Sequence, residues 1–283
     1  FEAADGRVVL ICPFHDRVLL GTTDIRTDDP DADRCTPEEE AYLLGLVPQV
    51  FPGIPVDARH VVYRYCGVRP LGKGEGEAGQ ISRDHSLHLR RRSESAPPVL
   101  SLVGGKWTTF RAFAEQASDR VLGELGRKRT SATGDTPIGG GGNLPRTKAD
   151  RERAIRDATL DGRLKPTDAE ALYGRYGTTA IAVAKACSHP GMDERLPGSK
   201  YLAGEVAHIC RTEMVARLGD IVQRRTLMAM LGEATPELLE AVARMAAPIL
   251  GWSEDRRQRE IKETAQLLAR RHGVNLPQKS GEG

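Results

Sequence analysis

A strand pattern, two glycines and a helix pattern follow one another directly in the middle of this chain. The apolar run Val99–Val103 predicts a buried strand, Gly104 and Gly105 end it, and the spacing over 112–122 predicts a helix. Such a junction gathers backbone N–H groups at a helix start, where the helix dipole adds partial positive charge. Because glycine lets ligand oxygens approach the backbone, the junction predicts a site for an anionic or carbonyl-rich ligand.

Polar side chains strengthen that interpretation without proving it. Four hydrogen-bond donors follow the glycines: Lys106, Thr108, Thr109 and Arg111. A tight turn capped by hydroxyl groups is the alternative explanation. Two unusual segments upstream, Gly67-Val-Arg-Pro-Leu71 and Ile81-Ser-Arg-Asp-His85, favour the ligand-binding one.

The two arginines of these upstream segments are candidate anion-binding residues. Arg69 precedes a proline, which restricts its backbone, and a fixed guanidinium offers a planar charged fork to phosphate or carboxylate. Pairing with an internal carboxylate is an equally good explanation. Arg83 has Asp84 beside it, so a surface ion pair of small energy is its alternative. His85 is a weaker candidate for proton transfer, a common task of histidine near neutral pH.

Composition excludes several functional classes. The formal net charge is only +2 and aromatic residues make up 5%, so no nucleic-acid partner is expected. The five cysteines contain no Cys-x-x-Cys pair, which predicts reduced thiols and no metal site. No apolar run reaches the roughly 20 residues that span a bilayer, so any membrane contact is expected to be peripheral.

The first part of the chain, residues 1–129, mixes strand and helix patterns. Short apolar runs at 7–13 and 17–21 predict a hairpin, and Thr36 with Glu39 predicts a capped helix that ends before Pro52. Further strands are predicted at 60–66, 80–83 and 86–89.

The second part of the chain has a helical pattern. Residues 130–147 are rich in glycine, threonine and proline and predict a linker, followed by an α-helical domain over 148–273 and a tail at 274–283. Within that domain, Thr167 predicts a capping box, and helices are predicted at 217–231, 236–250 and 254–271. Thr235 and Ser253 are the predicted caps of the last two. The predicted class is α+β.

Four ordered segments resemble one family. They are Gly21-Thr-Thr-Asp24, Gly67-Val-Arg-Pro-Leu71, Ser82-Arg-Asp-His85 and Gly104-Gly-Lys-Trp-Thr-Thr-Phe-Arg111, and their order and spacing resemble those of FAD-dependent glycerol-3-phosphate dehydrogenases. The resemblance covers roughly residues 5–270. It implies part of the sheet and substrate domain of a DAO-like FAD-dependent oxidoreductase, followed by an α-helical C-terminal domain.

The resemblance also implies roles for individual residues. It implies that Arg69 and Arg83 bind substrate and take part in catalysis, with Thr109 as a further substrate contact. It implies that Lys106 contacts the flavin and stabilises its reduced form. The remaining expected FAD contacts are Gly104, Gly105, Trp107 and Thr108, with the Trp107 side chain packed beneath the helix.

The activity implied by the family is oxidation of sn-glycerol 3-phosphate to dihydroxyacetone phosphate, with electrons passed to quinone. The expected location is the cytoplasm, peripheral on the inner face of the cell membrane, and a homo-oligomer is expected. An oxidase that uses oxygen is an alternative. No Gly-x-Gly-x-x-Gly motif follows a strand here, so we expect a C-terminal portion of a longer enzyme. A second alternative is therefore a catalytically incomplete fragment that acts at most as a helical interaction module.

Overall fold

The computed structural model describes residues 1–29, 31, 34–68 and 84–277. The chain divides into two compact units. Unit 1 consists of Phe1–Thr23, Asp33–Cys66 and Ile138–Gly283, and unit 2 consists of Asp24–Ala32 and Gly67–Pro137. The domain limits that the sequence predicts, at residues 129 and 148, differ from this division and stay a prediction. None of the helices in the described ranges is both long enough and apolar enough to cross a membrane.

Unit 1 begins with the predicted hairpin. Strands β1 (Leu10–Phe14) and β2 (Arg17–Gly21) pair antiparallel, with Phe14 opposite Arg17. His15, in the two-residue turn, has a left-handed φ of 55°. The hairpin is therefore confirmed, with its first strand shorter than predicted.

Helix α1 (Pro37–Val50) starts with the predicted capping box. The Thr36 hydroxyl accepts the Glu39 N–H at 3.2 Å, and the Glu39 carboxylate accepts the Thr36 N–H at 2.9 Å. Glu39 also accepts the Thr23 hydroxyl at 2.5 Å. Although burial acts in the opposite direction, these bonds lower the pKa of Glu39. The start of α1 is thereby bonded to Thr23 of the segment Gly21-Thr-Thr-Asp24.

The predicted strand His60–Cys66 is wrong. A 3₁₀ turn covers Ala58–His60, and residues 61–66, called the strap below, run without a paired strand. The N–H of Arg64 donates instead to the carbonyl of His272 at 3.1 Å. The strap has the apolar composition of a strand but its backbone pairs with the end of a helix.

Unit 2 contains β3 (Ser86–Arg90) and β4 (Val99–Val103), paired antiparallel, and helix α2 (Phe110–Glu124). The expected burial of β4 is wrong, because Val99 and Leu102 are exposed. Within the described residues this sheet has two strands, and too little structure packs on it to bury those two side chains. The strand predicted at 80–83 lies outside the described residues.

The helical part of unit 1 contains six α-helices in its described residues. Two of them, α7 (Pro236–Leu250) and α8 (Glu254–His272), start after the predicted caps Thr235 and Ser253. The other four are α3 (Lys148–Asp157), α4 (Pro166–Tyr176), α5 (Ala180–Cys187) and α6 (Ala203–Thr212). The core between α6, α7 and α8 is built from aliphatic side chains such as Val206, Leu238 and Val242. The structure confirms an α-helical region here.

Two local predictions in this region are wrong. Helix α4 begins at Pro166, one residue before Thr167, so Thr167 lies within its first turn and does not cap it. The helix predicted at 217–231 is reduced to a π-helical turn over Asp220–Arg225. The Thr226 hydroxyl donates to the carbonyl of Ile221 at 2.8 Å, and Thr226 itself is extended, which ends the turn.

A buried carboxylate organises the start of α6. Glu205 is fully buried and accepts two bonds from Arg175, at 2.7 and 2.8 Å, and the N–H of Leu202 at 2.9 Å. The guanidinium of Arg175 also lies over the Tyr201 ring, 4.6 Å from its centroid. Burial acts to lower the pKa of Arg175, but the charge of Glu205 raises it overall. One ion pair thus ties α4 to α6.

The five cysteines lie within the described ranges and form no disulfide there. Cys187 and Cys210 are buried, whereas Cys66 is exposed. Burial raises the pKa of Cys187 to about 12, which keeps this thiol protonated.

Part of the predicted linker is fixed in place. The N–H of Thr178 donates to the carbonyl of Gly140 at 3.0 Å, and its hydroxyl donates to the carbonyl of Gly142 at 2.8 Å. Gly140 has a φ of 77°, and a Cβ there would lie 2.2 Å from the carbonyl oxygen of Tyr176. The glycine run therefore docks on the junction between α4 and α5.

Replacement of Gly140 by alanine tests this docking. We expect Gly140→Ala to lower the free energy of unfolding by about 2 kcal/mol or more, since it combines left-handed strain with a backbone collision. Gly162→Ala is the matched control, because Gly162 has a φ of 86° and no described atom lies within 4 Å of its Cβ position. It should cost only the strain, about 1 kcal/mol. Urea unfolding measures both, and equal losses would contradict the docking.

Candidate functional site

The predicted turn after β4 requires both of its glycines. Gly104 has a φ of 74° and Gly105 a φ of 110°, conformations that other residues rarely adopt. A Cβ at Gly104 would also lie 2.7 Å from the carbonyl oxygen of Asp84. The two strand ends of unit 2 therefore meet here at a separation that only glycine permits.

The Thr109 side chain closes the turn that follows. Its hydroxyl accepts the N–H of Lys106 at 3.3 Å and donates to the carbonyl of Lys106 at 3.2 Å. Trp107–Thr109 form a 3₁₀ turn that leads directly into α2, so helical structure starts before the predicted residue 112. Since the Thr109 hydroxyl already serves the backbone, its role as a substrate contact stays a prediction.

Three backbone N–H groups are left for a ligand. In the part of unit 2 that the structure describes, no hydrogen bond engages the N–H of Gly105, Trp107 or Thr108. They stand at the start of a helical segment, where N–H groups have no preceding turn to pair with. The turn therefore has the backbone N–H donors that the sequence predicts, except the N–H of Lys106, which the Thr109 hydroxyl accepts.

The Trp107 side chain does not pack beneath α2. It is 93% exposed, which makes that expectation wrong. The 3₁₀ turn directs the indole away from the apolar residues of its own unit. Its predicted contact with a cofactor is compatible with this exposure and remains untested.

Lys106 forms a surface ion pair. Its ammonium lies 3.5 Å from the carboxylate of Asp84, and both side chains are at least half exposed. Such pairs contribute about 0 to 1 kcal/mol, so the pair leaves the ammonium available to a bound anion at little cost. The role of Lys106 toward a flavin stays a prediction.

His85 packs on α2. Its ring stacks on Phe113 with 4.3 Å between centroids, and its Nε2 lies 2.9 Å from the amide oxygen of Gln116. These contacts give His85 a structural task at the base of the turn. The sequence analysis missed both partners, although their spacing of three places them on one face of the predicted helix.

Arg111 is directed to the other flank of α2. Its guanidinium donates to the Thr133 hydroxyl at 3.1 Å and lies 3.0 Å from Glu115. Hydrogen bonds from Thr133, together with Arg111, lower the pKa of Glu115 to about 2. Arg111 is therefore bound to residues of its own unit and does not add a donor to the turn.

Arg69 and Arg83, the predicted substrate-binding residues, lie outside the described residues. The structure brings together Gly104, Gly105, Lys106 and Thr109, and their roles toward a ligand stay predictions.

Unit 1 contains a separate cleft that the sequence did not indicate. It has a volume of about 650 Å³ and lies between the hairpin, α1 and the strap. Its walls are mainly apolar, with Leu43, Phe51, Tyr63 and Met230 among the lining residues. Only the packing of distant segments forms it, so no local pattern could have predicted it.

Comparison with known proteins assigns the chain to a family. Residues 1–111 match the family described as FAD dependent oxidoreductase, and residues 131–257 match the C-terminal domain of alpha-glycerophosphate oxidase. A probable mitochondrial glycerol-3-phosphate dehydrogenase of Dictyostelium discoideum is 30% identical over 281 residues, which cover 94% of this chain and 42% of that protein. The chain belongs to the family of FAD-dependent glycerol-3-phosphate dehydrogenases.

Other members of this family give the same picture. The glycerol-3-phosphate dehydrogenase of Pseudomonas aeruginosa is 32% identical over 231 residues, which cover 80% of the chain and 44% of that protein. The crystal structure of the Bacillus halodurans glycerol-3-phosphate dehydrogenase complexed with FAD has a TM-score of 0.73 and 24% identity. The match covers 95% of this chain and 52% of the Bacillus chain, which confirms the fold. The chain spans about two fifths of the length of the curated relatives that it matches.

Two neighbouring threonines provide a test of how the turn is built. We expect Thr109→Val to lower the free energy of unfolding by about 1 kcal/mol, because the Lys106 N–H loses its acceptor while the Lys106 carbonyl keeps only the Thr109 N–H. Thr108→Val removes an exposed hydroxyl and should change it by less than about 0.5 kcal/mol. Thermal unfolding of both variants measures the difference. An equal effect at the two positions would contradict the assigned contacts of Thr109.

Proposed function

We propose that this chain supplies flavin-binding and substrate-binding elements for the FAD-dependent oxidation of sn-glycerol 3-phosphate to dihydroxyacetone phosphate. The turn Gly104–Thr109 carries the proposal, because a chain of this family has two glycines and a cation there, together with N–H groups that no described residue of the unit pairs with. The activity belongs to an assembly that includes the part of the relatives that this chain does not span.

The residues of the turn fit a flavin. The N–H groups of Gly105, Trp107 and Thr108 suit the carbonyl oxygens of an isoalloxazine ring. The absence of side chains at Gly104 and Gly105 lets a flat ring approach the backbone. When bound, FAD supplies the acceptor for the hydride that leaves the substrate.

Lys106 has an electrostatic task in this proposal. Its half-exposed ammonium is fixed loosely by Asp84 at 3.5 Å and follows the two glycines directly. A cation placed where negative charge develops stabilises the transition state, because it requires no reorganisation during the reaction. Lys106 therefore favours transfer toward the flavin.

Arg69 and Arg83 are proposed to bind the substrate. Glycerol 3-phosphate is an anion, and guanidinium groups bind phosphate through paired, charge-assisted hydrogen bonds. One arginine holds the phosphate and the other polarises the oxygen at C2 of the substrate. These roles come from the matched motifs of the sequence.

The electron acceptor is proposed to be a quinone, reached from the cytoplasm at the inner face of the cell membrane by a homo-oligomer in peripheral contact. The family description of the C-terminal region names an oxidase, and this favours oxygen as the second candidate acceptor. A chain that binds no flavin and acts as a helical module is the other candidate.

Flavin binding decides between an active chain and a helical module. We expect the chain to acquire flavin absorbance when FAD is added together with the part of the Dictyostelium relative that it does not span. Glycerol 3-phosphate should then bleach the flavin, and a quinone analogue should restore its colour. Formation of hydrogen peroxide in air would identify oxygen as the acceptor. A colourless complex would contradict the proposed function.

Substitution of Arg69 tests substrate binding. We expect Arg69→Ala to raise KM for glycerol 3-phosphate about 100-fold, because a charge-assisted pair contributes about 1.5–3 kcal/mol. Arg92→Ala is the matched control, since Arg92 is an exposed arginine of the same unit. Steady-state kinetics of the FAD-bound assembly gives both values. A normal KM in the Arg69 variant would remove this residue from the substrate site.

A further inference from the structure

The apolar cleft of unit 1 runs along the edges of extended segments. Its lining includes three unbroken runs of chain, which are residues 11–14 and 17–20 of the hairpin and residues 60–65 at the strap. An extended segment presents only alternate side chains to a space over its face, because successive side chains point to opposite sides. Unbroken runs therefore indicate a space beside the segments, where a neighbouring strand would lie.

The strap has one engaged edge and one unpaired edge. The N–H of Arg64 donates to the His272 carbonyl at 3.1 Å, and Nδ1 of His272 donates to the Arg64 carbonyl at 2.7 Å. In an extended segment, neighbouring residues direct their backbone groups to opposite edges. The backbone groups of Tyr63 and Tyr65 consequently point away from His272, and they form no hydrogen bond with a residue that the structure describes. Two N–H groups and two carbonyls are thus left for a partner.

The hairpin has an unpaired edge as well. In the described ranges its sheet has two strands, joined by a two-residue turn. Phe14 and Arg17 therefore form the first hydrogen-bonded pair, and bonded pairs alternate with non-bonded ones along the strands. Val18 and Leu20 belong to non-bonded pairs, so their N–H groups point away from β1. Both of these residues line the cleft.

A short segment of the helical region contacts both the hairpin and the strap. The carbonyl of Leu231 accepts the Nε–H of Arg17 at 3.2 Å. The next residue, Gly232, has a φ of 76°, and a Cβ there would lie 3.0 Å from the Cβ of Val62. The preceding residue, Met230, lines the cleft. Consecutive residues therefore hold the two sides of the cleft at a fixed separation.

The cleft has the size of a short strand. A strand residue occupies roughly 160 Å³, given a rise of about 3.3 Å, a strand spacing of about 4.8 Å and a sheet separation of about 10 Å. The cleft volume of about 650 Å³ therefore corresponds to roughly four residues of a single strand.

The charged side chains that line the cleft favour an uncharged occupant. Arg64 pairs with Glu40, and the carboxylate of Asp16 lies 3.6 Å from the ammonium of Lys200. The rest of the lining is mainly apolar. Because these charges already have partners, a further charge in the cleft would be desolvated without compensation.

The unpaired backbone groups decide between two kinds of apolar occupant. An isoprenoid or acyl chain matches the apolar walls, but it has no polar groups along its length to pair with Tyr63 and Tyr65. Covering N–H and carbonyl groups without a hydrogen bond is unfavourable. A polypeptide strand with apolar side chains meets both requirements, since its backbone pairs with the free edge while its side chains contact the walls.

The relatives contain a part that can supply such a strand. The matches cover 42% of the Dictyostelium relative and 52% of the Bacillus chain, so each of these proteins has a further part of comparable length. From these observations we infer that the cleft receives an extended apolar segment of that further part, paired as a strand with Tyr63 and Tyr65. This inference rests on the proposed function, in which the activity belongs to an assembly with that part.

Hydrogen exchange at single amides tests the pairing. The probe is the part of the Dictyostelium relative that this chain does not span, added to the full chain. We expect the amides of Tyr63 and Tyr65 to exchange about tenfold more slowly in the complex, because they gain carbonyl partners. The amide of Asp255, an exposed residue in the first turn of α8, should change by less than about twofold. Unchanged exchange at Tyr63 and Tyr65 would overturn the inference.

Proline substitutions at Tyr65 and Asp255 form a matched pair of variants. We expect Tyr65→Pro to weaken the affinity for the added part about tenfold, because proline removes an N–H from the pairing edge. Asp255→Pro should change the affinity by less than about twofold, since proline is tolerated in the first turn of a helix. Titration calorimetry measures both affinities, and equal values would contradict the inference. If circular dichroism shows that Tyr65→Pro is unfolded, exchange in the unsubstituted chain still decides.

The outcomes also identify other occupants of the cleft. Protection of Tyr63 and Tyr65 that rises with the concentration of this chain alone would assign the cleft to a second copy. Protection by a quinone analogue alone would assign it to an apolar ligand. Either result would overturn the inference, and so would failure of the added part to bind.

The same experiments distinguish this inference from the proposed function. An assembly that protects Tyr63 and Tyr65 but neither binds FAD nor oxidises glycerol 3-phosphate would contradict the proposed function and support the strand pairing. An assembly that oxidises glycerol 3-phosphate while both amides stay unprotected would support the proposed function and overturn the strand pairing.

Discussion

The ion pair between Glu205 and Arg175 is the interaction on which the helical region depends. A carboxylate with no exposed surface must be neutralised and hydrogen-bonded, and Glu205 obtains both from Arg175 and the N–H of Leu202. The same contacts fix where α6 begins and how it lies on α4. Glu260 repeats this arrangement at the start of the π-helical turn, where it accepts the Leu218 N–H at 2.9 Å and pairs with Arg217 and Arg256. The starts of α6 and of the π-helical turn are thus set by buried charge, which tolerates few alternative arrangements.

Close backbone approach is the second organising feature. Gly104, Gly140, Gly232 and Gly273 each have a positive φ. A Cβ would lie 2.7 and 2.2 Å from a backbone carbonyl oxygen at Gly104 and Gly140, and 3.0 and 2.4 Å from the side chains of Val62 and Arg64 at Gly232 and Gly273. At Gly104 the approach shapes the candidate flavin turn, and at the other three it docks a loop or an extended segment on the helical region. These glycines are therefore contact points between distant parts of a unit and not only turn residues.

Prediction from the sequence is correct where the signal is local. Thr36 with Glu39, Thr235, Ser253 and the paired glycines at 104 and 105 act within a few residues, and the structure confirms each. It failed where the deciding partner is remote. The strap has an apolar strand-like composition, but its backbone partner is His272, and the exposure of Trp107 depends on which surfaces surround it. Arg69 and Arg83 became candidates for anion binding from their local sequence, and the family resemblance implied their roles toward the substrate.

The pairing of Arg64 with His272 has a consequence for the synthesis of the chain. The two residues are 208 positions apart, so the strap lacks its backbone partner when it leaves the ribosome. At about 5–20 residues per second, roughly 10 to 40 s pass before His272 is made. During that interval the hairpin and α1 can form from local contacts, while the apolar strap remains uncovered. Completion of unit 1 is therefore a late event, and the interval is one in which the nascent chain is most exposed to aggregation or to a chaperone.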